Sequence, residues 1–192
     1  MVFDGFSALF PANEVTALVG PSGSGKSTLL GAIAGFRSLS HGSIELKSDR
    51  EPQGPSPALV SWISQDSNIL GARTALDNAM LGPLSEGASL KVAARRAGRA
   101  LVEVGLEPQS HLLTRNMSGG ERQRVAVARA LSSERPLVLA DEPSAALDEA
   151  NTLELSRLFA RASGRATIII ATHDPVMIEA AASIVTIRRA AR

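Results

Sequence analysis

The run Gly20-Pro21-Ser22-Gly23-Ser24-Gly25-Lys26-Ser27-Thr28 has the spacing G-x-x-x-x-G-K-[ST] of a phosphate-binding loop. Glycines at 20, 23 and 25 let backbone N–H groups turn inward around phosphate oxygens. A helix starting near Gly25 directs its positive end at the same anion. Lys26 is placed to reach the outer phosphates, and the Ser27 hydroxyl to bind Mg²⁺. Further on, the apolar run Leu137–Ala140 ends in Asp141 and Glu142. Carboxylates at a buried strand end are costly without a compensating cation, and beside a phosphate loop Mg²⁺ supplies one. Neighbouring strand residues face opposite ways. Asp141 is therefore assigned to the metal, and Glu142 to taking a proton from an attacking water. A third cluster, Ser118-Gly119-Gly120-Glu121, opens a strongly helical stretch. Ser118 and Glu121 form a capping box. The two glycines would each cost about 1 kcal/mol in a helix, unless the backbone there must approach a ligand closely. A helix N-terminus suits phosphate, so the cluster reads as both a cap and a second anion site.

The elements that must hold these residues alternate between apolar runs and helical patterns, the rhythm of an α/β fold. Strands are expected at Val15–Val19, Ser43–Lys47, Leu59–Ser64, Leu137–Ala140, Thr167–Ala171 and near Ile184–Ile187. Helices are expected at Lys26–Gly35, Thr74–Leu81, Leu90–Val104, Ser118–Leu131, Glu149–Ala162 and after Pro175. Asp49–Pro57, with three prolines and a glycine, reads as a loop. The two ends of the chain are expected to build one parallel sheet, with a helical insertion over about residues 67–117 between them.

Composition narrows the function classes. The 192 residues, 44% of them hydrophobic, suit one globular domain. Lys plus Arg is 20 and Asp plus Glu is 19, a net charge of +1, and no basic tract signals direct binding of nucleic acid. Cysteine is absent, which excludes disulfides, thiolate zinc sites and a cysteine nucleophile and fits a reducing cytosol. No apolar run approaches the roughly 18 residues of a membrane span, and the first residues do not read as a signal peptide. His41 and His111 read as surface or turn histidines.

With SGGERQR lying between the phosphate loop and the acidic strand, the chain resembles the ATP-binding cassette (ABC) ATPases over nearly its whole length. The resemblance implies a P-loop NTPase core of the ABC type with a helical subdomain, ATP as ligand and Mg²⁺ as cofactor. It places Gln65, in Trp62-Ile63-Ser64-Gln65, in the Q-loop that senses Mg²⁺ and γ-phosphate and contacts the transmembrane partner. It makes Ser144–Asp148 the D-loop and His173 the switch histidine on the γ-phosphate. Ser118, Gly119 and Gly120 would cap ATP held by a second subunit, in a head-to-tail homodimer or heterodimer. An integral-membrane permease subunit would grip the groove near Gln65. The protein would then be cytoplasmic and peripheral to the inner face of the membrane, touching it only indirectly.

Leu139–Pro143 and Asn68–Asn78 resemble the lipoprotein-release and macrolide-export branch of the family. Glu121 and Met117 stand where many members have Gln and Leu, and Ala145 where Ser or Gly is usual. The family's N-terminal strand, with an aromatic that stacks on adenine, would fall just before Met1. The chain is expected to lack it; the rival idea is that Phe3 or Phe6 replaces the ring. Two other classes fit less well. Chromosome-type ABC ATPases need long heptads between Lys26 and Asp141, and none is present; translation-type members carry two cassettes. A regulatory cassette that binds nucleotide without driving transport is the remaining alternative.

Overall fold

The computed structural model describes residues 5–47 and 52–188. Its centre is a five-stranded sheet of β1 (Val15–Val19), β2 (Val60–Ile63), β3 (Leu137–Asp141), β4 (Thr167–Ala171) and β5 (Ser183–Thr186). The strand order is β2-β3-β4-β1-β5, and every pairing is parallel. Both faces of such a sheet must be covered, and the central strands alternate accordingly. Val138, Ala140, Ile168 and Ile170 join one apolar cluster, while Leu137, Leu139, Ile169 and Ala171 join the other. Helix α1 (Lys26–Ile33) packs into the second cluster through Leu29, Leu30 and Ile33. Phe6 and Phe10, both partly buried, pack against the same cluster. Phe3 lies outside the described residues.

Between β2 and β3 the chain forms α2 (Ala75–Ser85), α3 (Leu90–Glu103) and α4 (Gly119–Leu131). After β3 come α5 (Glu149–Ala162) and the short α6 (Pro175–Glu179). Local chemistry explains most of the starts. Thr74 and Ser118 close capping boxes with Asp77 and Glu121, Asp148 caps α5, and Asp174 precedes Pro175 at the first position of α6.

Two expectations need correction. Ser43–Lys47 is not a strand: it yields only an isolated antiparallel bridge between Leu46 and Gln53. Among the described residues its alternation finds no neighbouring strand to pair with. Helix α2 does not stop at Leu81 but runs through Gly82 and Pro83 to Ser85. A proline inside a helix leaves the carbonyl four residues earlier without its donor. That carbonyl is Ala79 O, and the Ser132 hydroxyl donates to it at 2.7 Å. Gly82 makes the approach possible, since a Cβ there would stand 2.4 Å from Arg129 O.

Two substitutions test this seam between α2 and α4. Gly82→Ala should lower stability by about 1–3 kcal/mol through overpacking. Ser132→Ala should cost a similar ~1–3 kcal/mol by orphaning a buried carbonyl. Chemical denaturation of both variants, against the parent chain, measures the loss.

Candidate functional site

Because all the strands run one way, the segments following their C-terminal ends meet along one edge of the sheet. Ligands of open parallel sheets bind at that edge. The phosphate loop follows β1, Ser64 and Gln65 follow β2, Glu142 follows β3, and Thr172 and His173 follow β4.

The loop is shaped as a cradle. A Cβ at Gly20 would lie 2.7 Å from both Ile187 O and Ser24 Oγ, so only glycine fits there. Gly23 and Gly25 have φ of +75° and +98°, which L side chains resist. Gly25 caps α1 with no side-chain hydrogen bond, so the first N–H groups of the helix are left for an anion. Ser24 N–H donates to Pro21 O at 3.1 Å and tightens the turn. Pro21, Ser22, Gly23 and Ser27 are exposed, whereas Ser24 and Lys26 are buried and Thr28 is half-buried.

Lys26 Nζ donates to Gly20 O at 2.9 Å and lies 3.5 Å from Glu142 Oε1. The other oxygen of Glu142 accepts from His173 Nδ1 at 2.9 Å. A carboxylate only accepts, so Nδ1 carries the proton in this bond. Lys26, Glu142 and His173, distant in sequence, thus form one chain of contacts. Glu142 gets there by leaving the strand. Its φ is +47°, a conformation that costs a non-glycine residue about 1–3 kcal/mol. Its N–H donates to Ala171 O at 2.8 Å and pins it. Strand alternation alone, the reason anticipated for separating Asp141 from Glu142, is therefore incomplete, because Glu142 is no longer extended.

Asp141 closes β3, with its Oδ1 buried and without a hydrogen-bond partner. Ile63 pairs with Ala140, so Ser64 and Asp141 are the next residues on adjacent strands. Ser64 Oγ and Ser24 Oγ are also buried and unpartnered. An orphaned buried carboxylate oxygen is costly, and a cation relieves it. With the Ser27 hydroxyl and the exposed Gln65 amide, the donor set is all oxygen, as Mg²⁺ requires.

The start of α4 forms the capping box expected from Ser118 and Glu121. Ser118 N–H donates to Glu121 Oε2 at 2.8 Å, and Glu121 N–H to Ser118 Oγ at 3.2 Å. The Ser118 backbone bond, helped by the Ser118 side chain, holds the Glu121 carboxyl below its ordinary range. Gly120 is partly explained within the chain, since a Cβ there would meet Asn151 Oδ1 at 3.0 Å. Gly119 faces open space, with Ala146 O at 4.0 Å as its nearest neighbour. Among the described residues no hydrogen bond joins this segment to the chain's own phosphate loop. His41 and His111 are exposed.

One link was missed from sequence. Ser144 Oγ donates to Asp174 Oδ2 at 3.0 Å, and Asp174 N–H donates to Thr172 Oγ1 at 3.0 Å. This ties the segment after Glu142 to the one carrying His173. Nothing in the sequence beyond the order Asp174-Pro175 pointed to it.

Replacing Lys26 with Ala removes a charge-assisted contact worth about 1.5–3 kcal/mol, or roughly 10- to 150-fold in affinity. Lys26→Ala should therefore weaken Mg-ATP binding by that factor while the circular dichroism spectrum stays parental. Titration with a fluorescent ATP analogue measures the change. Parental affinity in the variant would remove Lys26 from the phosphate site.

An ABC transporter family model matches residues 3–145. The chain is 42% identical over 178 residues to the thiamine import ATP-binding protein ThiQ of Chelativorans sp. (strain BNC1), covering 88% of this chain and 70% of that one. It is 42% identical over 175 residues to the aliphatic sulfonates import ATP-binding protein SsuB 2 of Streptomyces avermitilis, covering 90% of this chain and 65% of that one. Among solved structures, cbiO1 of Clostridium perfringens, part of the transporter complex cbiONQ, superposes with TM-score 0.86 at 27% identity, covering 97% of this chain and 78% of that one. A bacterial ABC transporter cassette solved as a dimer gives TM-score 0.79 at 28% identity, covering 97% and 86%. The relatives are import proteins, which corrects the resemblance to the lipoprotein-release and macrolide-export branch. Of the strings behind that resemblance, Asn68–Asn78 serves the fold. Asn78, fully buried, bonds Leu70 N–H, Leu70 O and Thr74 O, and Thr74 with Asp77 caps α2; neither says anything of cargo. The edge-on cradle, the sequence relatives and the solved cassettes agree, and the chain belongs to the ABC transporter family as an ATP-binding ATPase subunit.

Proposed function

We propose that the chain hydrolyses ATP with Mg²⁺ as part of an importer, working as a head-to-tail dimer against a membrane permease. The observation that carries this is the contact chain Lys26–Glu142–His173 at the mouth of the phosphate cradle. Phosphate oxygens would bind the loop N–H groups and Lys26. Glu142, held by His173, is placed to take the proton of an attacking water. His173 Nδ1 fixes that carboxylate, and Nε2 would donate to a phosphate oxygen when both ring nitrogens carry protons. Asp141, Ser27 and Gln65 would hold Mg²⁺, whose charge would offset that building on the transferred phosphoryl group.

The dimer follows from the geometry of α4. Its N-terminus, with Gly119 open and Ser118 exposed, points to a phosphate site that its own chain does not complete. Two copies related by a two-fold axis would each supply Ser118, Gly119 and Gly120 to the other's nucleotide. Whether both copies are this chain or one is a related subunit is left to the same experiment. Among the described residues no helix is long and apolar enough to cross a membrane. Attachment to the cytoplasmic face of the membrane would run through the permease, at the groove by Gln65 and the helices that follow it. Import is favoured by the relatives, which serve thiamine, aliphatic sulfonates and phosphonates. Cargoes so different in chemistry, served by such similar subunits, support selection outside this subunit.

Glu142→Gln keeps size and hydrogen bonding but cannot act as a base. With ATP and Mg²⁺ it should bind nucleotide, turn over at least about 100-fold more slowly, in line with loss of a general base, and elute as a dimer in size-exclusion chromatography with light scattering. A variant that binds ATP yet stays monomeric at high concentration would refute the shared site. Mixing differently tagged copies distinguishes self-pairing from a need for a second subunit.

A further inference from the structure

The turn that carries Gln65 has a backbone that its own residues do not favour. Ser67 N–H donates to Ser64 O at 2.9 Å, closing a turn with Gln65 and Asp66 at its centre. Ser67 and Asn68 follow with φ of +59° and +46°. Left-handed backbone is common for asparagine but strained for serine, so Ser67 gains from an outside hold.

That hold comes from α4. Arg129 Nη2 donates to Ser67 O at 3.0 Å, and Nη1 donates to Asn68 O at 2.7 Å. The Ser67 hydroxyl donates to Gln123 Oε1 on the same helix, and Gln123 is only 3% exposed. Burial lowers the Arg129 pKa from its ordinary value. The guanidinium is kept partly out of water to serve two carbonyls of one turn. A planar fork reaches two adjacent acceptors at once, which a single ammonium cannot do with the same geometry.

The same helix begins with Gly119 and Gly120. At 1.5 Å per residue, Gly120 and Arg129 lie roughly 14 Å apart along one rod. The Gln65 turn and the open glycine end are thus fixed to a single rigid element.

We propose that Arg129 is a positioning residue for Gln65: its fork ties the turn to α4, so Gln65 reaches the metal and nucleotide in register with the glycine end of that helix. This rests on the proposed place of Gln65 at Mg²⁺. A plain staple between a loop and a helix would stabilise the fold without touching metal dependence, and the two roles differ in what they move.

The test measures binding in the full chain. ATP affinity is titrated against Mg²⁺ in a Glu142→Gln background, which prevents turnover. Into it go Gln65→Ala, Arg129→Ala, Arg129→Lys and the double variant Gln65→Ala with Arg129→Lys. Arg129→Lys keeps the charge and secures the comparison should Arg129→Ala fail to fold. Losing one bond of the fork, about 1 kcal/mol, should raise the half-saturating Mg²⁺ about five-fold in Arg129→Lys. Affinity for ATP without Mg²⁺ should stay parental. The double variant should be no worse than Gln65→Ala alone, because one residue acts through the other. Parental Mg²⁺ dependence in Arg129→Lys, or effects that simply add, would overturn the proposal while leaving Gln65 at the metal. Parental Mg²⁺ dependence in Gln65→Ala would instead remove Gln65 from the metal, and the proposal with it.

Discussion

An ammonium group largely hidden from water needs a counter-charge, and here the ends of parallel strands supply it. The Lys26 side chain is 9% exposed, and its charge is met by Gly20 O and Glu142. At 3.5 Å and an effective dielectric of about 20, such a pair attracts by roughly 4–5 kcal/mol before desolvation is charged against it. Much of the edge is arranged around that contact. Gly20 lacks a side chain so that the loop can close on Ile187. Glu142 accepts a strained backbone to turn its carboxylate inward. Ala171, one strand over, holds that backbone in place.

The same contact sets the competition that nucleotide would enter. Glu142 is the anion that satisfies Lys26 here, and a phosphate in the cradle would be a stronger one. Each phosphate oxygen drawn to Lys26 would release Glu142 toward water and His173. Lys26 and His173 share that carboxylate, one oxygen each.

The fold was legible wherever a local rule and a tertiary need agreed. Val15–Val19, Glu149–Ala162 and Thr167–Ala171 fall where their apolar runs and caps put them. Of the site, the phosphate loop, Asp141 and Glu142 could be picked out by type and order and His173 only through the family resemblance, and the sheet brings all four to one edge. What failed was non-local. Pro83 reads as a helix breaker, and nothing near it reveals that Ser132 would satisfy Ala79 O. The alternation of Ser43–Lys47 reads as a strand, but a strand exists only with a partner. Glu142 could be named as the base, but its left-handed backbone could not be foreseen, because the hydrogen bond to Ala171 that holds it comes from another strand. Arg129 and Gln123 were invisible for the same reason, since their work is done on residues far back in the chain.

The two glycines of α4 show how far one chain explains itself. Their helix cost is incurred in every copy, bound or free. Gly120 has a reason at home, because Asn151 occupies the space a side chain would need. Asn151 is itself held by Asp148 and Arg124, so the start of α4 is locked to the start of α5. Gly119 has no such reason, as nothing near it forbids a methyl group. A residue whose lack of a side chain is unexplained by its own fold, at a helix N-terminus beside an exposed serine, is what a surface looks like when its partner is another molecule's phosphate. The cradle holds glycines and a helix start without a side-chain cap, while the α4 end offers an open Gly119. Two copies facing each other head to tail, as proposed, would bring the one against the other.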